Sequence, residues 1–324
     1  MTTTLRSEPA ALEAVTAASA RLQQAQTAAE DERGREAVAA ASRRLRQALA
    51  ALDAPRREAV ERQGRIVHLG SGVLALAVLA DSGLEHYRGA FHNKGMFAPL
   101  ARAALSVATN AAAACGARLP RALVDAVQGL AAMTGLVGLC FHAYNIGKRP
   151  GGFSWLNFFY AAPIGAPAAL TLAGLFGRGG VRLASGQQTL FGLPAGRALA
   201  GSAAVGIAGT VGEAALLHFR GAYHNPAMFL PVTMPPLAAG LLGAAALAPA
   251  KAPRRATRAW LWATAGLGVA GVGFHAFGVW RNMGGFRNWS QNIFNGPPLP
   301  APPSFLGLAV IGLAALALME ANHE

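Results

Sequence analysis

Acidic residues become scarce after residue 65, and this feature limits the fold of the chain more than any other. Of the 15 Asp and Glu residues, nine lie in residues 1–65 and six are spread over residues 66–324. Only 13% of the chain is charged, against about 25% in a typical soluble protein. So long a stretch of Ala, Leu, Gly and Val with so few carboxylates predicts a region embedded in a lipid bilayer.

Eight apolar segments in this region are each near the ~20 residues that a helix needs to cross the hydrocarbon. They are residues 66–85, 97–116, 123–146, 158–176, 199–217, 229–248, 260–280 and 305–319. They predict an all-α, polytopic membrane protein with eight transmembrane helices. The prolines within them predict kinks or broken turns in the fourth and sixth helices. These are Pro163, Pro167, Pro235 and Pro236.

Residues 1–63 predict an Ala-rich helical segment ahead of the membrane region. Gly34 is expected to separate two helices, and Asp53 with Pro55 is expected to start another that runs on into the membrane.

A stretch of fourteen residues occurs twice in the membrane region. Residues 86–99 read HYRGAFHNKGMFAP, and residues 218–231, 132 positions later, read HFRGAYHNPAMFLP. Nine of these positions are identical, and two exchange one aromatic residue for another. A second match joins FHAY at 141–144 to FHAF at 274–277, each followed by Gly-Gly-Phe. Repeated segments of this kind predict an internal duplication.

The duplication divides the membrane region into two four-helix repeats. The predicted boundaries are 1–63 for the N-terminal segment, 64–177 and 198–324 for the repeats, and 178–197 for their connection. Because each repeat has an even number of helices, both enter the membrane in the same direction, as parallel repeats do. All the loops that carry the matching segments are therefore expected on one membrane face.

The basic residues favour one orientation in a cell inner (plasma) membrane. Thirteen Lys and Arg residues fall on the predicted face opposite the motif loops, and eight fall on the motif face. The positive-inside rule then places both termini in the cytoplasm and the motif loops outside it. Although the net charge is +13, its division into short segments between apolar runs fits the lipid bilayer as partner and excludes nucleic acid.

Polar side chains are retained in both repeats where the surrounding helices are almost purely apolar. Ionisable groups at membrane depth are costly and usually functional. The matched pairs are His86 with His218, His92 with His224, His142 with His275, Asp81 with Glu213, Met96 with Met228, Arg88 with Arg220, and Asn93 with Asn225.

The histidines, carboxylates and thioethers of these pairs predict a site for haem or a redox metal. Neutral imidazole suits copper and iron, and Met sulfur adds affinity for Cu(I). On a helical turn, the four-residue spacing from His92 to Met96 would place nitrogen and sulfur on one face. Haem b is the other option, with axial histidines and with Arg88 or Arg220 beside a propionate. Asn93 and Asn225 join the arginines as candidates for binding an anion or a membrane or periplasmic redox partner.

Two other readings of the same residues stay open, and so does the question of enzymatic activity. The histidines could cap helix ends, with Arg-Gly-Ala and Gly-Gly-Phe as tight turns whose glycines need positive φ. The chain would then be a membrane anchor or assembly subunit. Alternatively, it is a small-solute or metal-ion transporter with the site at the repeat interface. Asp125 is expected to pair with Arg121, one helical turn away.

Overall fold

The structure, a computed structural model, describes residues 8–27 and 32–321, which are helical apart from turns, loops and one short hairpin. The helices are α1 Glu8–Thr27, α2 Glu32–Arg88, α3 Phe97–Ala114, α4 Arg121–Gly147, α5 Trp155–Tyr160, α6 Gly165–Ala184, α7 Ala195–Arg220, α8 Leu230–Leu247, α9 Arg254–Trp280, α10 Trp289–Asn295 and α11 Pro303–Ala321. In the hairpin, β1 Thr189–Leu190 pairs antiparallel with β2 Leu193–Pro194. The chain forms two compact units, one up to Glu61 and one from Arg62 onward.

Among the described residues, six helices are long and apolar enough to cross a membrane. They are α2, α4, α7, α8, α9 and α11. The all-helical prediction is confirmed, and the six helices fit a multi-pass membrane protein. The helices α3 and α6 are not among the six; Arg102 interrupts the first, and Arg178 and Arg182 lie near the end of the second.

The helix α2 continues from Glu32 to Arg88 through Pro55, so the predicted start of a new helix at Asp53 is wrong. A proline inside a helix leaves one carbonyl without its usual partner. Because Pro55 is exposed, water can reach that carbonyl.

The helix α6 extends to Ala184, seven residues beyond the predicted repeat boundary at 177. Its Gly-rich stretch was expected to belong to the connection, since glycine disfavours helices. A Cβ on Gly177 would collide with the side chain of Gln128, and one on Gly180 with the ring of His68. The glycines therefore stay helical because neighbouring helices place large side chains against them.

The two predicted proline interruptions have different outcomes. The fourth apolar segment is divided around Pro163 into the short helix α5 and the long helix α6, as expected. The helix α8 continues through Pro235 and Pro236 without a broken turn. Packing against neighbours can tolerate such prolines in membrane helices.

Glycines bring the central helices of the second unit into close contact. A Cβ on Gly70 of α2 would lie 2.7 Å from the carbonyl oxygen of Gly307 on α11, and the reverse substitution gives the same distance. A Cβ on Gly206 of α7 would lie 2.6 Å from the side chain of Leu308. Small residues allow membrane helices to approach in this way. The helices α2 and α7, which carry the two motif copies, therefore both pack on α11.

Candidate functional site

The first histidine of each motif copy lies in the last turn of a long helix and makes the same hydrogen bond. Nδ1 of His86 lies 2.7 Å from the carbonyl oxygen of Met96. Nδ1 of His218 lies 2.7 Å from the carbonyl oxygen of Met228. A carbonyl can only accept, so Nδ1–H donates and Nε2 keeps its lone pair.

The other four matched histidines follow the same pattern. Nδ1 of His92 and of His224 lies 3.0 Å from the carbonyl oxygens of Gly89 and Gly221. His142 bonds the carbonyl of Pro163, and His275 bonds that of Pro298. All six imidazoles therefore take the same tautomer, in which Nδ1 carries the hydrogen and donates it to a backbone carbonyl. Metal-ligating histidines are held in this way.

The three matched histidines of each repeat differ in exposure. Two are half-buried and are called the inner pair, and one is exposed and is called the outer histidine. The rings of His218 and His275 are half-buried, with their centres 6.5 Å apart. His86 and His142 are also half-buried and lie within range of each other's charge. His92 and His224 are exposed. The inner pairs are thus the less exposed of the matched histidines.

One of the outer histidines, His224, differs from the inner four in a second respect. Nε2 of His224 accepts from the guanidinium of Arg281 at 3.5 Å. No described side chain hydrogen-bonds an Nε2 atom of the inner four. Nε2 of His224 is therefore less available to an external group than those of the inner histidines.

The turn after each helix is strained in the same way in both copies. Ala90 and Phe91 have φ of 53° and 46°, and Ala222 and Tyr223 have φ of 55° and 45°. Left-handed backbone costs an L-residue roughly 1–2 kcal/mol. Such strain persists only where the surroundings impose it, and it is commonest at functional sites.

The glycines of these turns have another role than the one expected. Positive φ is found at Gly151, Gly152, Gly284 and Gly285, as expected for Gly-Gly-Phe. It is absent at Gly89 and Gly221, so that expectation is wrong for Arg-Gly-Ala. A Cβ on Gly89 or Gly221 would instead lie 3.0 or 2.9 Å from the terminal methyl of Met96 or Met228. Glycine at these two positions makes room for the thioethers.

The expected helical turn joining His92 to Met96 is also absent. A 3-10 helix covers Lys94–Met96, and His92 lies before it. The second copy has a 3-10 helix over Pro226–Phe229, with His224 likewise outside it. The four-residue spacing therefore does not place nitrogen and sulfur on one helical face.

The matched asparagines and arginines are engaged locally. Asn93 and Asn225 cap the two 3-10 helices by accepting from the amides of Gly95 and Ala227. Arg88 donates to Glu85 at 2.6 Å, whereas the guanidinium of Arg220 lies 4.9 Å from the ring centre of Tyr160.

The matched carboxylates Asp81 and Glu213 come from different repeats and lie within range of each other's charge. Both are half-buried. The Glu213 carboxylate lies against the backbone of Gly165, at the N-terminus of α6. A Cβ on Gly165 would overlap this carboxylate. Asp81 makes no hydrogen bond to another described residue. The two halves of the candidate site therefore approach each other at these carboxylates.

No group of three or more His, Cys, Asp or Glu side chains that could hold a metal ion occurs among residues 8–27 and 32–321. The predicted ligands therefore form pairs in the structure, and the thioethers of Met96 and Met228 pack on glycines instead.

A buried polar network around His68, near the middle of α2, was not predicted from the sequence. Nδ1 of His68 lies 2.7 Å from Oδ1 of Asn110, whose amide group donates to Ser71 and Ser106. Ser106 in turn donates to Gln128. These residues have no polar counterpart in the second repeat, and for that reason no matched pair in the sequence indicated them.

The expected pairing of Asp125 with Arg121 is wrong. Both carboxylate oxygens of Asp125 accept from Arg178 on α6, at 2.9 and 3.0 Å. The two-point geometry of the guanidinium favours this partner.

The chain matches no protein-family model, no curated protein and no solved structure. Its function must therefore be argued from its own residues.

Proposed function

We propose that this chain is an eight-helix membrane protein that binds haem through two histidine pairs, His86 with His142 and His218 with His275, for electron transfer. The single observation that carries the proposal is the shared tautomer of the four inner histidines. Each is held at Nδ1 by a backbone carbonyl and presents an unpaired Nε2. The proposal rests on three features, which are the internal duplication, the orientation of the chain in the membrane and the fit of haem to the histidine pairs.

Reciprocal contacts support two parallel repeats. Tyr87 of the first repeat stacks on Phe294 of the second, with ring centres 4.7 Å apart. Phe219 of the second repeat stacks on Phe159 of the first at 5.6 Å. Tyr87 corresponds to Phe219 and Phe159 to Phe294 in the aligned repeats. A contact exchanged in this manner is what a two-fold relation between repeats produces.

The ion pairs at the opposite end obey the same relation. Asp125 of α4 pairs with Arg178 of α6, and Arg258 of α9 pairs with Glu320 of α11. Asp125 and Arg258 occupy equivalent positions, so corresponding helices are joined with the charges exchanged.

The eight-helix count takes α3 and α6 as spanning helices. Their 18 and 20 residues give lengths of roughly 27–30 Å at 1.5 Å per residue. Their arginines lie near the helix ends, where long side chains reach the interface. The balance of basic residues favours an inner membrane with the motif loops on the side away from the cytoplasm.

Haem fits the histidine pairs better than a bare metal ion does. The usual protein sites for iron and Cu(II) take at least three protein ligands, and the described residues contain no group of three His, Cys, Asp or Glu side chains that could hold a metal ion. Haem iron needs only two axial imidazoles, because the porphyrin supplies the other ligands. With metal–nitrogen bonds of about 2 Å, two axial imidazoles have ring centres roughly 6 Å apart. The observed separation of His218 and His275 is 6.5 Å.

The remaining matched residues surround these pairs. Arg88 and Arg220, at the ends of α2 and α7, are placed to hold propionates or the carboxylates of a membrane or periplasmic redox partner. Asp81 and Glu213 lie on the same two helices and would set the local charge between the two pairs.

Visible absorption and elemental analysis of the purified protein test this proposal. We expect a strong Soret band and iron, both reduced in His218→Ala and His275→Ala. His224→Ala is the matched control, since its ring is exposed and its Nε2 already accepts from Arg281; its spectrum should not change. A copper or iron content without a Soret band would replace haem by a bare ion.

A structural role is the second candidate, and one observation favours it. The hydrogen bonds of His86 and His218 tie each helix end to the following 3-10 helix, which would stabilise an anchor or assembly subunit without chemistry of its own. A colourless, metal-free wild-type protein whose His218→Ala variant fails to fold would establish that role.

A further inference from the structure

A basic cavity lies where α9 begins, at the end of the helix away from His275. Its volume is about 290 Å³. Its lining residues are Arg254, Arg255, Arg258, Ala259, Trp262 and Glu320. Arg254, Arg258 and Trp262 follow one another at intervals of four residues, which places them on one face of the helix. Glu320, in the last turn of α11, closes the other side.

The cavity has an excess of positive charge. Glu320 neutralises Arg258, accepting from it at 2.7 and 2.8 Å. Arg255 adds a positive charge that no described carboxylate pairs with. Arg255 is exposed and makes no hydrogen bond or ion pair with another described residue. An anion entering the cavity therefore meets a guanidinium whose donors are available.

The shape of the lining calls for an amphipathic anion. Trp262 lies about 6 Å further along the helix than Arg258, at 1.5 Å per residue, and 62% of its surface is exposed. Tryptophan at this depth contacts the region between head groups and acyl chains. A free phosphate would use the arginines alone, whereas a phospholipid would use the arginines for its phosphate and Trp262 for its upper acyl chain.

The first repeat lacks this arrangement. With the repeats aligned, Arg255, Arg258 and Trp262 correspond to Ala122, Asp125 and Gly129, 133 positions earlier. The basic cavity is thus a property of the second repeat only, which a general attraction of the whole face to lipid does not explain.

We propose that the cavity between the start of α9 and the end of α11 binds one phospholipid with an anionic head group. Arg255 contacts the phosphate, and Trp262 packs along the first acyl carbons. Basic pockets between transmembrane helices bind such head groups in general. This site is independent of the histidine pairs and of what they bind.

The test uses the full-length protein in nanodiscs of phosphatidylcholine, titrated with phosphatidylglycerol and analysed by native mass spectrometry. We expect one phosphatidylglycerol per wild-type chain. Arg255→Ala, which reproduces Ala122 of the first repeat, should weaken its binding about fivefold, the usual effect of one arginine near a membrane surface. Trp262→Gly, which reproduces Gly129, should also weaken it. Arg121→Ala, at the start of α4, is the matched control and should bind as the wild type does.

Two results would overturn the proposal. One is equal loss of binding in Arg121→Ala and Arg255→Ala, which means a diffuse charge effect. The other is displacement of the lipid by millimolar inorganic phosphate together with wild-type affinity in Trp262→Gly, which means a site for free phosphate. Circular dichroism spectra of all variants verify that they are folded.

Discussion

Each inner histidine hydrogen-bonds a backbone carbonyl from a later part of the chain. His86 and His218 bond carbonyls ten residues downstream, and His142 and His275 bond carbonyls that precede α6 and α11. The repetition of the motif predicted which residues belong together. The tautomer and the strained turn depend on the path of the loop back to the helix end. That path could not be predicted from the spacing of residues in the sequence.

Gly165 offers a prediction at the same scale. Its missing side chain leaves the space that the Glu213 carboxylate occupies. Gly165→Ala should therefore destabilise the protein by about 1–3 kcal/mol, the usual cost of overpacking. Thermal unfolding in detergent, followed by circular dichroism, measures the change.

The control for Gly165→Ala is Gly209→Ala, because no atom lies within 4 Å of a Cβ at that exposed helical position. It should leave stability unchanged or raise it by about 0.5–1 kcal/mol. Removing the carboxylate in the double variant Gly165→Ala, Glu213→Ala should recover part of the loss. Equal stability of Gly165→Ala and wild type would show that the carboxylate does not occupy this space.

At the scale of elements, equivalent helices pack through different side chains in the two repeats. In the first, His68, Ser71, Ser106, Asn110 and Gln128 join α2, α3 and α4 by hydrogen bonds. The aligned residues of the second are Ala200, Ala203, Ala238, Leu242 and Leu261, and all five are buried. The helices and their apolar character were predictable, because composition and length determine them. The side chains that face one another across helices were not predictable, and so the helical Gly180 was assigned to the connection between the repeats.

The network predicts a strong effect of breaking it in one place. Asn110→Leu copies the second repeat at one position and leaves the Nδ1–H of His68 without its acceptor. A buried, unsatisfied donor costs about 1–3 kcal/mol, so the free energy of unfolding in detergent should fall by that amount.

Replacing the whole network should cost less than this single change. The variant with His68→Ala, Ser71→Ala, Ser106→Ala, Asn110→Leu and Gln128→Leu carries the complete apolar set, and removing both partners of a hydrogen bond can be nearly neutral. If Asn110→Leu had a higher free energy of unfolding than the variant with all five replacements, the account would be contradicted.

At the scale of the whole molecule, the two matched motifs place two histidine pairs near one end of the bundle, with the carboxylates Asp81 and Glu213 within range of each other's charge. An apolar cluster separates this end from the network around His68. It contains Val78, Ala103, Ala131 and Leu170, all buried. Because the polar groups do not continue across this cluster, the arrangement favours a site at one membrane face over a path through the protein.

The central claim is that each repeat holds one haem, and haem content per chain tests it most directly. Quantified by the pyridine haemochrome spectrum against protein concentration, the account predicts two haems per chain in the wild type. It predicts one in His142→Ala or His275→Ala, and none when both are replaced. A wild-type protein without haem, or a double variant that retains the wild-type content, would contradict it.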